Sequence, residues 1–152
     1  GSIFAVGHSA GDYNLALAIL DRRYLDKAGV HQRNIRGIAT LAAPLDFLPL
    51  DTRVTIETFG QVADLASTQP TSFARPDAPP FLLLTGTDDT TVFPRNSEAL
   101  FSKLKQLGAP VDIRQYPGIG HVGILLRVAR PFRSEAAPVL DDVIRFFRNQ
   151  SS

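Results

Sequence analysis

The chain has 152 residues, of which 44% are hydrophobic and 20% are charged, and its formal net charge is +1. This composition is that of one ordinary globular domain, and the small net charge gives no basis for nucleic acid or an anionic membrane surface as a partner. The absence of cysteine excludes disulfides, thiolate chemistry and cysteine-ligated zinc.

Short apolar runs alternate with stretches of helical periodicity along the chain. In chain order, the predicted elements are a strand at Ile3–Val6, a helix from Asp12 to about Ala28, a strand at Ile35–Ala43, a strand at Phe81–Leu84, a helix at Asn96–Leu107, a strand at Val111–Tyr116 and a helix at Val139–Phe147. Gly29 and Gly108 follow the first two helices, and Pro138 precedes the third, which is the usual placement of these residues at helix ends.

Strands separated by helices predict parallel crossovers, and therefore an α/β fold with a parallel sheet of about four strands and helices on both faces. Residues 47–80 interrupt this alternation, because the segment is long, polar and proline-bearing, with one short helix expected near Arg53–Leu65. A connection of this length usually has structure of its own or covers a site. We interpret it as a small cap inserted into a single domain that spans residues 1–152.

A G-x-S-x-G pentapeptide, Gly7-His-Ser-Ala-Gly11, stands directly behind the first predicted strand. This pattern is the signature of a nucleophile elbow, in which a serine lies on a sharp turn between a strand and a helix. Ser9 is therefore the candidate nucleophile, and the amide of Ala10 is a candidate donor to a developing oxyanion. We expect Gly7 and Gly11 to allow the strand and helix backbones to pass closely.

An acid and a histidine follow the serine in the order that this elbow requires. Asp88 and Asp89 come shortly after the third predicted strand, and His121 comes shortly after the fourth. Because the carboxyl ends of parallel strands share one edge of a sheet, these residues are expected at the same edge as Ser9. His121 would act as general base and then as general acid, with a carboxylate fixing its tautomer and stabilising the imidazolium.

Three motifs together resemble the α/β-hydrolase fold, and within it the bacterial esterase branch near the hormone-sensitive-lipase-like and kynurenine-formamidase-like enzymes. They are Gly-His-Ser-Ala-Gly at residues 7–11, the Gly86-x-x-Asp89-x-x-Val92 run and Gly120-His121. The resemblance implies Ser9 as nucleophile, Asp89 as acid and His121 as base, and the family spacing from Gly86 favours Asp89 over Asp88. It covers essentially the whole chain, but only the C-terminal half of the family's domain.

Four further polar residues have competing, structural interpretations. Asp46 follows the second predicted strand, where some relatives of this fold place their acid, but a loop or helix-cap role is expected. His8 adjoins the nucleophile and is expected to pack beneath the elbow, and His31 is expected to be solvated. Asp12 departs from the small residue typical of this branch after Ser-x-Gly, and its charge in the first helical turn suits the helix dipole.

Part of the apparatus that the resemblance implies does not occur in the sequence. A second oxyanion donor normally comes from a His-Gly-Gly-type loop, which these 152 residues lack. The elbow strand normally pairs with an earlier strand, so Ile3–Val6 is expected to present an open, apolar edge that invites pairing with another chain. The preferred explanation is a fragment of a longer polypeptide. The alternatives are a truncated homologue completed by a partner or by self-association, and a degenerate inactive protein.

The sequence therefore predicts a serine hydrolase, specifically a carboxylesterase that cleaves small-molecule esters with small or medium acyl groups through an acyl-enzyme. Such an enzyme requires no metal and no organic cofactor. Arylformamide hydrolysis uses the same apparatus and is the second enzymatic hypothesis. A non-catalytic α/β-hydrolase-like domain, whose sheet edge and cap serve binding or assembly, is the alternative from another class. The sequence contains no apolar stretch of membrane-spanning length and no signal segment at its start, so we expect a cytoplasmic protein.

Overall fold

The computed structural model describes residues 1–151, except for the side chain of Arg130. The strands are β1 (Ile3–His8), β2 (Ile35–Leu41), β3 (Phe81–Gly86) and β4 (Val111–Tyr116). They form one sheet in the spatial order β1-β2-β3-β4, and every neighbouring pair is parallel. The predicted α/β fold with about four parallel strands is confirmed.

The helices within the described residues are α1 (Ala10–Leu20), α2 (Arg22–Lys27), α3 (Arg53–Phe59), α4 (Arg95–Gln106), α5 (His121–Leu126) and α6 (Val139–Asn149). The helix predicted from Asp12 to about Ala28 is two helices instead, because Asp21 has an extended backbone and its carboxylate accepts the amide of Arg23. The helix α5 has no counterpart among the predicted elements. No helix in residues 1–151 combines the length and the apolar character needed to cross a membrane.

Apolar side chains pack on both faces of the sheet. Because successive strand residues point to opposite faces, Phe81 and Leu83 of β3 belong to one core, whereas Leu82 and Leu84 belong to the other. The first core is completed by buried residues of α1 and α4, namely Ala16, Ile19, Leu20, Leu100 and Leu104. The second is completed by residues of α5 and α6, namely Ile124, Val139 and Val143. Helices therefore cover both faces, as predicted.

The second strand is shorter than predicted. It ends at Leu41 rather than at Ala43, because Ala42 has a φ of 52°, which lies outside the strand region of backbone space. Ala42 and Ala43 are nevertheless buried. The apolar run in the sequence therefore marks burial over its full length and extended backbone over only part of it.

Residues 47–80 contain α3 and two 3₁₀ turns, Leu65–Thr68 and Pro70–Phe73. The second half of this segment is anchored to the domain, because the buried side chain of Gln69 accepts the amide of Phe47 at 2.7 Å. By contrast α3 is largely exposed, and its Phe59 ring lies 5.6 Å from the ring of Tyr13 and 5.4 Å from that of Phe47. The role of this segment as a cap stays a prediction.

Within residues 1–151, β1 lies at one end of the sheet and pairs with β2 alone. Ile3 and Val6 are 41% and 53% exposed, whereas every residue of β3, which pairs on both sides, is buried. The face of β1 toward α6 is covered, since the Phe4 ring lies 5.1 Å from that of Phe147. The outer edge of β1 is therefore open in this structure, as the sequence analysis expected.

Candidate active site

Loops that follow three of the strands meet at the carboxyl edge of the sheet. Ser9 directly follows β1, Asp89 lies in the turn after β3, and His121 begins α5 after β4. Gly86 is the last residue of β3, and a Cβ at that position would overlap the carbonyl oxygen of Ile119. The glycine therefore permits the loop after β3 and the loop after β4 to approach closely. The structure thus brings together the serine, the acid and the histidine that the sequence analysis selected.

Ser9 lies on a strained turn between β1 and α1. Its φ is 54° and its ψ is −125°, a conformation with positive φ that residues other than glycine rarely adopt. Its amide donates to the carbonyl oxygen of Leu41 at 3.0 Å, and its carbonyl accepts the amide of Asp12 at 3.0 Å. A Cβ at Gly7 would stand 2.6 Å from Oδ1 of Asp12, whereas a Cβ at Gly11 would meet no described atom within 4 Å. The close approach expected at both glycines therefore occurs only at Gly7.

The three side chains form a continuous hydrogen-bonded chain. Nδ1 of His121 lies 2.8 Å from Oδ2 of Asp89, and Nε2 of His121 lies 2.9 Å from Oγ of Ser9. Asp89 is 1% exposed, and its other oxygen, Oδ1, accepts the amides of Thr91 and Val92 at 2.9 and 2.8 Å. An ionised carboxylate only accepts, so Nδ1 of His121 carries the proton and Nε2 is left to accept from the serine hydroxyl.

The alternative acids, Asp88 and Asp46, and the histidine His31 do not take part in this hydrogen-bonded chain. Asp88 is exposed, and its carboxylate accepts the hydroxyl of Thr87 at 2.9 Å. Asp46 lines a surface groove with Lys103 and other residues, none of which belongs to the hydrogen-bonded chain. His31 is exposed, as expected, in the turn that precedes a 3₁₀ helix. Asp89 is therefore the acid in contact with His121.

Asp12 is fully buried, which the assignment of its charge to the helix dipole did not anticipate. Its Oδ2 accepts the amide of Leu41 at 2.5 Å, while Oδ1 has no hydrogen-bond partner among the described residues. Burial raises the pKa of this carboxyl to about 7, although the nearby amides of Leu41 and Gly7 favour the charged form. The sequence contains a signal for this burial, because residues 12, 16, 19 and 20 share one face of α1 and the other three are apolar.

His8 has a closer relation to the site than packing beneath the elbow. Its Nε2 lies 3.0 Å from the backbone carbonyl oxygen of His121, and the centroids of the two imidazole rings are 4.8 Å apart. These residues are separated by 113 positions in the sequence. No local pattern predicts such a contact, because it depends on how the loop after β4 folds over the end of β1.

The surroundings of Ser9 supply one identified oxyanion donor. Ala10 is exposed and is the first residue of α1, so its amide has no acceptor within the helix. Among residues 1–151, no group of three or more His, Asp and Glu side chains is arranged to hold a metal ion. The arrangement is suited to attack by a serine hydroxyl on a carbonyl carbon, with the negative charge that develops on oxygen directed to the N-terminus of α1.

Comparisons with known proteins show the family of the chain and the fold that it shares. The sequence matches the prolyl oligopeptidase family over residues 2–151. No curated protein matches it. Among solved structures, the fold is similar to a truncated form of a carbohydrate esterase from gut microbiota, with a TM-score of 0.75 and 17% sequence identity, over 100% of this chain and 61% of that chain.

A second similar fold is that of Thermogutta terrifontis esterase 2. The form phosphoramylated by tabun has a TM-score of 0.69 and 15% identity, over 98% of this chain and 54% of that chain. The form with propionate bound has a TM-score of 0.67 and 16% identity, over 97% of this chain and 54% of that chain. The present chain therefore spans between 54% and 61% of the length of these structures. At sequence identities of 15% to 17%, this similarity shows the fold alone.

The match to the family extends over nearly the entire sequence. The matched residues form a parallel sheet with a serine elbow at the end of β1. The chain belongs to the prolyl oligopeptidase family, within the α/β-hydrolase superfamily.

Proposed function

We propose that the chain is a serine hydrolase that cleaves small-molecule esters with small or medium acyl groups. The observation that carries the proposal is the hydrogen-bonded chain from Asp89 through His121 to Ser9. A serine hydroxyl is a weak nucleophile until a neighbouring base takes its proton, and this arrangement supplies the base and the group that orients it. The strained elbow and the free amide of Ala10 support the same reaction.

In the proposed mechanism, Oγ of Ser9 attacks the ester carbonyl carbon while Nε2 of His121 takes the hydroxyl proton. Asp89 stabilises the resulting imidazolium, and the amide of Ala10 donates to the oxyanion. His121 then gives the proton to the leaving alkoxide, so that the alcohol departs and an acyl-enzyme remains. Water attacks the acyl carbon, with His121 taking its proton and returning it to Ser9 as the carboxylic acid leaves.

Esters are favoured over amides by the chemistry of the leaving group. An alkoxide is a far better leaving group than an amide anion, so an amide is cleaved only when its nitrogen receives a proton from His121, and ester cleavage depends less on this proton transfer. Hydrolysis of aryl formamides stays a second enzymatic candidate, and the family description favours peptide hydrolysis as a third.

A fluorophosphonate probe provides the direct test of the nucleophile. We expect the folded chain to be labelled covalently, the variant Ser9→Ala to lose all labelling, and Ser102→Ala, which changes an exposed serine on α4, to be labelled like the wild type. Mass spectrometry of the peptide that contains Ser9 identifies the modified atom. A folded chain that is not labelled would contradict the proposal and favour the non-catalytic alternative.

The same preparation distinguishes the candidate substrates. We expect turnover of p-nitrophenyl acetate and butyrate to exceed that of an N-formyl arylamine and of a prolyl p-nitroanilide. A reversed order, with Ser9→Ala inactive, would replace the esterase proposal by one of the two amide-cleaving alternatives. The cytoplasmic location stays a prediction from the sequence.

The open edge of β1 supports a proposal about assembly. Unpaired strand edges with exposed apolar side chains recruit further strands. We expect concentration-dependent dimers or larger species on size exclusion, which Val6→Lys should reduce by placing a charge on the edge. Val54→Lys is the matched control, because Val54 is 72% exposed on α3. A chain that stays monomeric at high concentration would contradict an edge that recruits a second copy.

A further inference from the structure

His8 joins the two loops that must meet for the Ser9–His121 hydrogen bond to form. It directly precedes Ser9 in the elbow, and its Nε2 lies 3.0 Å from the carbonyl oxygen of His121. The two imidazole rings also pack together, with their planes inclined by 43°. Both residues are half-buried. One side chain therefore connects the end of β1 to the start of α5.

The chemistry of the partners determines the direction of this hydrogen bond. A carbonyl oxygen only accepts, so Nε2 of His8 carries the proton and donates it. Both ring nitrogens of His121 already have partners, Nδ1 with Asp89 and Nε2 with Ser9. Because the bond from His8 goes to the backbone of His121, it holds that residue without competing for its ring.

The loop before His121 is tied to the loop after β3. Ile119 is buried, and its carbonyl oxygen accepts the amide of Asp88 at 3.1 Å. The helix that begins at His121 has six residues, and its N-cap, Gly120, provides no side-chain hydrogen bond. Such a short helix is marginal by itself. Val122 and Leu125 are exposed, which leaves Ile124 as the buried residue of α5. The hydrogen bond and the ring contact from His8 therefore add an anchorage to β1, the strand that leads to Ser9, which the bonds to the loop after β3 do not provide.

We propose that His8 is a positioning residue, which holds the backbone and ring of His121 in register with Ser9 and Asp89. This role rests on the proposed function, since register matters most for proton transfer from Ser9. Displacement of a reacting group by about 1 Å can cost about 10²-fold in rate. His8 acts through His121 and neither gives nor takes a proton in the mechanism above.

Two substitutions of His8 separate the effect of the hydrogen bond from that of the ring contact, and a third substitution is the control. His8→Phe keeps a flat ring and removes the donor, His8→Gln keeps an N–H donor of similar reach, and His31→Phe is the control at an exposed histidine. With p-nitrophenyl butyrate, we expect His8→Phe to lower kcat by about 10- to 100-fold at nearly unchanged KM. His8→Gln should restore most of the loss, and His31→Phe should behave like the wild type.

A folded His8→Phe variant with wild-type kcat would overturn the proposal, as would a His8→Gln variant impaired to the same extent as His8→Phe. Should His8→Phe fail to fold, His8→Asn, whose shorter side chain carries a similar amide, replaces it in the comparison with His8→Gln.

An NMR measurement tests the role of His8 independently of turnover. The proton on Nδ1 of His121, bound to Asp89, should give a strongly deshielded resonance in the wild type and in His8→Gln. It should be broadened or lost through solvent exchange in His8→Phe. If the wild type is neither labelled nor active, the proposed function fails, and this resonance still decides the His8 proposal, because an unchanged signal in His8→Phe contradicts it.

Discussion

Asp89→Asn is expected to lower kcat for ester hydrolysis by about 10⁴-fold, with KM little changed. The reason lies in the amides of Thr91 and Val92, which both donate to Oδ1 of Asp89. In the variant, the asparagine oxygen must face these donors, so its NH₂ group faces His121. Nδ1 of His121 then has to accept, Nε2 carries the proton, and the ring can no longer take the proton of Ser9.

Asp88→Asn is the matched control for this experiment. Asp88 is exposed and adjoins Asp89 in the same turn, so its substitution should change kcat by no more than about twofold. Steady-state kinetics with p-nitrophenyl butyrate and the rate of fluorophosphonate labelling measure both effects, and circular dichroism checks the fold. A severe loss in Asp88→Asn with little loss in Asp89→Asn would exchange the roles of the two acids.

The second large effect concerns the pH dependence of stability and arises from Asp12. Burial raises the pKa of this carboxyl from its ordinary value of 3.8 to about 7 in the folded chain. Well below pH 3.8 the carboxyl is protonated in both the folded and the unfolded chain, so the free energy of unfolding does not change with pH through this group. Between these two values the unfolded chain loses the proton while the folded chain retains it. The free energy of unfolding therefore falls with rising pH, by at most about 1.4 kcal/mol per pH unit from this group.

Asp12→Asn should remove this dependence. The asparagine oxygen can still accept the amide of Leu41, and the side chain cannot ionise. The free energy of unfolding of the variant minus that of the wild type should be larger at pH 8 than at pH 4.5. Urea denaturation of both proteins at both pH values measures this difference. Asp26→Asn, at an exposed position of α2, is the control. The same pH dependence in the wild type and in Asp12→Asn would show that Asp12 is not the group responsible.

Local patterns in the sequence were sufficient for the fold class and for the choice of candidate site residues. The alternation of apolar strands with helices predicted the parallel sheet, because each signal lies within one element and its adjoining glycines and prolines. The elbow at residues 7–11 identified Ser9 in the same way. His121 and the pair Asp88 and Asp89 could then be selected because they follow strands, and the ends of parallel strands lie at one edge. The choice of Asp89 over Asp88 came from the resemblance, through the spacing from Gly86.

The contacts of these residues depended on the packing of distant segments, which no local pattern describes. Asp88 and Asp89 are neighbours in one turn, and only the folded turn shows that Asp89 is directed at His121. The helical period places Asp12 on the buried face of α1, but its hydrogen bond with the amide of Leu41 depends on the packing of α1 against β2. The bond from His8 to His121 depends on the loop after β4 reaching the end of β1. The types of residue at the site follow from local sequence, whereas side-chain direction, hydrogen-bond partners and protonation follow from contacts between elements far apart in the chain.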